Sequence, residues 1–168
     1  MEKLLMFLMI AASVLTLWVK DVEIFLQDKA YRHVSYAIEH AVHDGALQID
    51  AERLGEGDIV FNKSFAEFSI RESLKRNLGL NDQLLPVNTL LFEENISINE
   101  IVYFDETYID PLTLQPVQFP YLWKYQNPYT NEVLERVIFG PSIALILDVK
   151  VKGADTYSRK VSIQEYKF

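Results

Sequence analysis

The chain has 168 residues, no cysteine and a formal net charge of −8. This length is enough for one compact domain carried on an additional element, and the lack of cysteine excludes a thiol nucleophile and a disulfide scaffold. Residues 77–123 contain no Lys or Arg but many carboxylates. A nucleic-acid partner is therefore not expected, because no basic patch is present to neutralise phosphates.

The first predicted element is an uncharged apolar run, LLMFLMIAASVLTLWV, at residues 4–19. Crossing the hydrocarbon core takes about 20 helical residues. The flanking Lys3 and Lys20 can extend to the two interfaces, and Trp18 suits a membrane boundary. We expect an uncleaved, single-pass anchor with the bulk of the chain extracytoplasmic, because a first apolar segment usually directs export. A cleaved signal peptide and a buried core helix are the alternatives.

The helical pattern continues beyond this run, without Pro or Gly until Gly45. Small or apolar residues recur every three or four positions, which is typical of one face of an amphipathic helix. Such a face permits close packing, either against copies of the chain or under its own head. The predicted assembly interface consists of Val22, Leu26, Ala30, Val34, Ala37 and Ala41.

All three histidines, His33, His40 and His43, belong to this predicted stalk. They lie near one stripe of the helix, but their spacing differs from the His-Glu-x-x-His pattern of zinc enzymes. His40 and His43, three residues apart, could share a metal ion, but His33 is two turns away from His40 and too distant to be a third ligand. We therefore expect polar histidines on a solvated or interfacial face, with a proton-dependent assembly switch as the alternative.

A second helix is predicted over residues 64–78, with Ser64 as its N-cap and Gly79 as its C-terminal stop. Glu67 and Arg71 form an exposed pair four residues apart. The predicted buried side consists of Phe65, Phe68, Leu74 and Leu78.

An alternating strand is predicted around residues 96–103, followed by a long loop interrupted by four prolines. The acidic run at the start of this loop contains Asp105, Glu106 and Asp110. It lacks the pattern of an EF-hand, so a solvated acidic edge is the expectation and a Ca²⁺ site the alternative.

Aromatic residues follow in the tract FPYLWKYQNPY, where Tyr121, Trp123 and Tyr125 share one side if the backbone is extended. These three residues are the candidate contact for a glycan or protein partner. Packing on the chain's own core is the alternative.

The C-terminal segment SIALILDVKVKGADTYSRKVSIQEYKF alternates apolar and polar residues on both sides of the turn KGAD. It predicts a β-hairpin with one buried face, which the second helix can cover. The expected fold class is α+β, with a long N-terminal helix followed by a small head that has an antiparallel sheet. The expected domains are the transmembrane and amphipathic helix, residues 1–50, and the head, residues 51–168.

No catalytic motif is evident, since the chain has neither a Gly-x-Ser-x-Gly elbow nor a glycine-rich phosphate loop. We expect no enzyme activity, no cofactor, no metal and no small-molecule substrate.

The uninterrupted segment EKLLMFLMIAASVLTLWVKDVEIFLQDKAYRHVSYAIEHAVHDGALQID, followed by a β-rich head, resembles the type IV pilins and pseudopilins, including the TadE-like minor pilins. Glu2 stands near the start of the helix, where such proteins keep an acidic residue. The resemblance covers the architecture of the whole chain. It implies a subunit that is held in the bilayer by its N-terminal helix before assembly and packs that helix in a filament core afterwards.

We therefore expect a membrane-anchored, pilin-like structural subunit that assembles into a filament or secretion apparatus. The expected partners are the membrane and neighbouring copies of the chain. The alternatives are a monomeric binding module on a membrane tether and an accessory subunit whose span pairs with another protein. Self-assembly of the helix distinguishes the first hypothesis from the second, and a required heterologous partner identifies the third.

Overall fold

The computed structural model describes residues 2–88, 90–111 and 113–167. Within these residues, a long N-terminal helix is followed by two shorter helices and five strands, which confirms the predicted α+β class. In chain order the elements are α1 (Glu2–Ala46), α2 (Ala51–Glu56), α3 (Lys63–Leu78), β1 (Ser97–Phe104), β2 (Tyr121–Gln126), β3 (Val133–Ile138), β4 (Ser142–Val149) and β5 (Ser158–Glu165).

Helix α1 is continuous over 45 residues. At 1.5 Å per residue it is about 68 Å long. The charged residues Lys20 and Asp21 do not interrupt it. The apolar run and the amphipathic stalk are therefore two parts of one helix, as the lack of Pro and of Gly before Gly45 predicts.

The head has three layers, with the antiparallel sheet β1-β4-β5 in the middle. On one face of β4, Ile143, Leu145 and Leu147 pack in a core shared with α1 and α3. On the other face, Ala144 and Ile146 pack against a separate antiparallel hairpin, β2-β3. All eight residues of β4 are therefore buried, and the prediction of a C-terminal hairpin with one buried face is wrong in that respect.

The second half of α1 is part of the head. Ala30, Val34, Ala37 and Ala41 are at most 1% exposed and belong to the core formed with α3 and β4. At Gly45, a Cβ would lie 2.7 Å from Cγ1 of Ile70 on α3, so the two helices meet where α1 has no side chain. The proposed boundary at residue 50 thus divides one hydrophobic core, and the head includes α1 from about Ala30.

Helix α3 begins at Lys63, and its N-cap lies two residues earlier than predicted. Asn62, rather than Ser64, is its N-cap, and the Asn62 Oδ1 atom accepts a hydrogen bond from the Phe65 amide at 3.2 Å. Gly79 ends the helix at φ 63°, a left-handed conformation that favours glycine, as predicted. The predicted ion pair is present between Arg71 and Glu67 at 3.0 Å.

The buried side of α3 differs from the prediction. Leu74 and Leu78 are buried, but Phe65 and Phe68 are each 62% exposed. Smaller residues face α1 instead, because α3 approaches α1 closely and leaves no room for aromatic rings between them. The buried residues of α3 are Ala66, Ile70, Ser73, Leu74 and Leu78.

Candidate functional site

The first half of α1 extends out of the head. Every large apolar side chain from Leu4 to Val19 is 50–69% exposed. Residues 4–19 form a helical segment about 24 Å long. Helix α1 is long and apolar enough to cross a membrane, and within the described residues none of its most apolar window is buried by the fold.

An apolar surface of this extent is rare on soluble monomers. Exposed apolar patches on soluble monomers rarely exceed a few hundred Å², whereas this one surrounds the whole helix for more than four turns. The two serine and threonine hydroxyls in the run, on Ser13 and Thr16, donate to backbone carbonyls four residues earlier at 2.9 Å. Their polar groups are thereby satisfied without water, as a segment surrounded by lipid or other helices requires.

The predicted assembly interface is divided between two environments. Val22 is exposed and Leu26 is partly covered, whereas Ala30, Val34, Ala37 and Ala41 are buried in the head. Those four residues cannot contact another copy of the folded chain, so their inclusion in an assembly interface is wrong. The sequence pattern identified a packing face correctly, but the partner of its second half is the chain's own α3 and β4.

The histidines of the stalk are all exposed on α1. Among residues 2–88, 90–111 and 113–167, no group of three or more His, Asp or Glu side chains is arranged to hold a metal ion. His33, His40 and His43 thus lie on the surface of the α1 segment that the head packs against.

The candidate aromatic residues Tyr121, Trp123 and Tyr125 do share one side of β2, but that side faces the sheet. Trp123 is buried, with its ring centroid 5.6 Å from that of Phe104 and 5.6 Å from that of Tyr125. Burial raises the pKa of the Tyr121 hydroxyl. The prediction of a partner contact at these three positions is wrong for Trp123, because the second hydrophobic core covers its side chain.

Two carboxylates of the acidic run, on Asp105 and Glu106, connect separate segments of the head through hydrogen bonds. The buried Asp105 carboxylate accepts hydrogen bonds from the Phe61 amide at 3.1 Å, the Thr107 amide at 2.9 Å and the Thr107 hydroxyl at 2.6 Å. Glu106 accepts one from the Ile59 amide at 3.3 Å. These two carboxylates join the end of β1 to the segment before α3, so the expectation of a solvated acidic edge is wrong for Asp105.

A further acidic residue, Asp110, has its own partners. Its carboxylate accepts hydrogen bonds from the Thr113 hydroxyl at 2.8 Å and from the Tyr121 hydroxyl at 3.3 Å. These contacts connect the loop after β1 to the start of β2.

One buried ion pair escaped the sequence reasoning. Arg159 on β5 donates to Asp148 on β4 through Nε at 2.6 Å and Nη2 at 2.5 Å, and through Nη1 to the Tyr125 hydroxyl at 2.7 Å. The hydrogen bonds to Asp148 raise the pKa of Arg159 above its ordinary value. The signal in the sequence was an aspartate inside the apolar strand IALILDV, but its partner could be found only from the β4-β5 register.

No protein-family model, curated protein or solved structure matches this chain. The physical properties of the exposed helix are therefore the basis for a functional proposal.

Proposed function

We propose that the protein is a membrane-anchored structural subunit that assembles through the exposed half of α1, as a pilin-like component of a filament or secretion apparatus. One observation carries this proposal. The rod is continuous, but its apolar first half is left uncovered by the head while its second half is built into the head's core. A helix of this form needs an external apolar environment at one end and holds a folded domain at the other.

The bilayer is the first environment for the exposed half. Residues 4–19 are somewhat shorter than the hydrocarbon core is thick, and Val22, Ile24 and Phe25 extend the exposed apolar surface towards the head. Lys3 and Lys20 bracket the span at its two interfaces. With the short N-terminal end inside, the head lies outside the cytoplasm.

Neighbouring subunits are the second environment. Residues 4–19 are apolar on all sides of α1, so lipid and other helices can cover them equally well. Ala11, Ala12 and Ser13 place three small side chains near the middle of the run, where another helix can approach closely. We therefore propose residues 4–19, in place of the buried stripe, as the assembly surface.

The proposed role is structural and not enzymatic. The stalk histidines lie on an exposed helix surface, and Asp105 and Asp148 are engaged in internal hydrogen bonds. The resemblance to the type IV pilins supports the same role, because the second half of α1 packs on an antiparallel sheet while the first half is free to bundle.

Membrane anchoring is tested by placing a charge in the run. Leu8→Lys introduces a lysine into the first half of the span, at an insertion cost that approaches the value of about 2.5–3.5 kcal/mol for a lysine at the helix centre. Phe68→Lys is the matched control, because Phe68 is 62% exposed and Leu8 is 59% exposed. We expect alkaline carbonate to extract more of the Leu8→Lys protein than of the wild type, and no more of the control. Equal retention of all three proteins would contradict anchoring through this run.

Assembly is tested by disulfide cross-linking in native membranes, since the chain has no native cysteine. Single cysteines at each position from 4 to 19 should give dimers with a period of three or four residues. Variants with two such cysteines should give ladders. Ala37→Cys is the control, because Ala37 is buried in the head and should give no dimers. A protein that stays in the membrane but forms no dimer at any of these positions would refute self-assembly.

A further inference from the structure

The central sheet β1-β4-β5 has two edges, formed by β1 and β5. Within residues 2–88, 90–111 and 113–167, each of these strands pairs only with β4. Both pairs are antiparallel, so β1 and β5 run in the same direction on opposite sides of the sheet. An edge strand presents a row of backbone groups with which another chain can pair.

Strand β5 runs along α1, away from the apolar end of that helix. Near the start of the strand, Lys160 Nζ lies 5.2 Å from the ring centre of Tyr31. Near its end, Gln164 and Glu165 line one end of a groove with Glu39, further along α1. Copies anchored in one bilayer by the same run have parallel helices. In such copies, β1 of one and β5 of its neighbour also run in the same direction.

The register with β4 gives the height of each residue along the two edges. Ile146 of β4 is opposite Glu100 of β1 and Val161 of β5. Glu100 and Val161 are therefore at nearly the same distance along α1. When neighbouring copies are anchored at the same depth, Glu100 of one copy comes beside Val161 of the other.

Glu100 lies on the hairpin side of the sheet because of a β-bulge in β1. The register shifts between Ile98 and Glu100. Ile98 packs against the core formed with α1, whereas Val102 and Phe104 belong to the core formed with the β2-β3 hairpin. Glu100 shares the face of Val102, since side chains two apart along a strand lie on one face. Glu100 is exposed and, among the residues that the structure describes, forms no ion pair.

At the other edge, the groove that ends at Glu39 lies between β3 and β5 and contains an unpaired cation. We name it the edge groove; it has a volume of about 610 Å³, and Leu134 and Val161 are among its apolar walls. Arg136 of β3 lines it, is exposed and forms no ion pair in the described part of the chain. Leu134, two positions before Arg136, also lines an adjoining cavity with Arg159 and Val161. Arg136 is therefore close to the level of Val161, at which Glu100 of a neighbour would stand.

We propose that the β1 edge of one copy docks against the edge groove of the next, with Glu100 beside Arg136. This inference rests on the self-assembly proposed above and identifies the contact between heads. The complementary charges favour this arrangement over contact between two β1 edges or between two β5 edges, which would bring like charges together.

The proposed contact uses a different surface on each side of the head. It therefore repeats from copy to copy, as a filament or a ring requires. A repeat of three strands is about 14 Å wide. At this spacing, neighbouring α1 helices, each about 10–12 Å across with side chains, lie side by side.

Cross-linking between two differently tagged chains tests the docking in native membranes. One chain carries Asn99→Cys, next to Glu100 on β1, and the other carries Ser162→Cys, next to Val161 on β5. A short bis-maleimide joins cysteines on neighbouring strands. Ser69→Cys is the matched control for Ser162→Cys, because Ser69 is also a half-buried serine but lies on α3. We expect a product that joins positions 99 and 162, and several-fold less product from 99 with 69, 99 with 99 or 162 with 162.

Charge reversal tests the pairing of Glu100 with Arg136. Glu100→Arg in the first chain, or Arg136→Glu in the second, should reduce the 99–162 product by about two- to fivefold, as expected for the loss of an exposed ion pair. The two reversals together should restore it, because they exchange the charges across the contact. A product that is insensitive to the single reversals, or that the double reversal does not restore, would overturn this pairing.

The dimers expected from single cysteines at residues 4–19 separate this inference from the assembly on which it rests. If those dimers form but the 99–162 product does not exceed the control with position 69, the docking of the edges is refuted and assembly through α1 stands. If neither product forms, both are refuted. A 162–162 product that exceeds the 99–162 product would show two β5 edges in contact, which also overturns the inference.

Discussion

The close approach of α1 and α3 at Gly45 makes a sharp prediction about stability. A Cβ added at this position would lie 2.7 Å from Cγ1 and 2.8 Å from Cδ1 of Ile70, distances that no unstrained side chain adopts. Ile70 is fully buried, so it cannot move aside into solvent. Gly45→Ala should therefore force the two helices apart or push Ile70 out of its rotamer.

The expected magnitude follows from two opposing contributions. Overpacking of a core costs about 1–3 kcal/mol. Replacing glycine by alanine in a helix interior stabilises by about 0.8–1 kcal/mol, and by less at Gly45, which is the second-last residue of α1. We expect Gly45→Ala to lower the free energy of unfolding by about 1–2 kcal/mol.

Two further variants separate packing from helix propensity. Gly55→Ala is the matched control, because Gly55 lies in α2 with no heavy atom within 4 Å of its added Cβ, and it should be neutral or slightly stabilising. Ile70→Ala removes both clashing atoms, so Gly45→Ala should no longer destabilise in that background. Urea unfolding of the full-length protein in detergent, followed by Trp123 fluorescence in a Trp18→Phe background, measures these differences. A Gly45→Ala protein as stable as the wild type would refute the close approach.

Three other predictions concern polar groups in the head. Asp105→Ala should lower the free energy of unfolding by about 2–3 kcal/mol, because the amides of Phe61 and Thr107 lose their acceptor. Glu106→Ala should lower it by less than about 1 kcal/mol. Urea unfolding measures both differences. Asp148→Ala should lower the free energy of unfolding by about 3–5 kcal/mol, because it leaves the buried Arg159 guanidinium without its carboxylate partner. Glu135→Ala, at the exposed pair with Lys124, should lower it by less than about 1 kcal/mol. A similar decrease for the two variants would contradict the burial of the Arg159–Asp148 pair. Burial raises the pKa of Tyr103 to about 12, above its value of about 10 in the unfolded chain. The free energy of unfolding should therefore fall as the pH rises from about 10 to about 12. Urea unfolding across that pH range checks this, and Tyr103→Phe should weaken the pH dependence.

The spacing of apolar residues predicted the helices and strands that depend on local sequence alone. The rod α1, the strand β1 and the C-terminal hairpin could all be located from the spacing of apolar residues and from the positions of glycine and proline. The C-terminal stop of α3 at Gly79 was predictable for the same reason.

Which face of a helix or strand is buried, and against which element, depends on tertiary packing. A single sequence does not specify that packing. Phe65 and Phe68 looked like core residues, but α3 lies too close to α1 for them to fit between the helices. The β2-β3 hairpin was assigned to a loop because of its flanking prolines, although Tyr121, Trp123 and Tyr125 already alternated along it. Without that hairpin, the second buried face of β4 could not be predicted.

The candidate site shows the same limit. The apolar run was evident from composition, and the small-residue stripe was correctly recognised as a packing face. A stripe does not identify its own partner, because alanines suit contact with another copy and contact within the chain equally well. Only the position of α3 and β4 against Ala30, Val34 and Ala37 decides between them.

The central claim is that copies of the exposed helix associate within the membrane, and energy transfer tests it most directly. Lys167→Cys, an exposed site in the C-terminal segment, is labelled with a donor in one preparation and with an acceptor in another. The two are reconstituted together in vesicles and diluted with increasing amounts of lipid. Association through α1 predicts that transfer persists on dilution and is reduced by Leu8→Lys at equal protein content of the vesicles. Transfer that falls to zero in proportion to dilution would contradict the account.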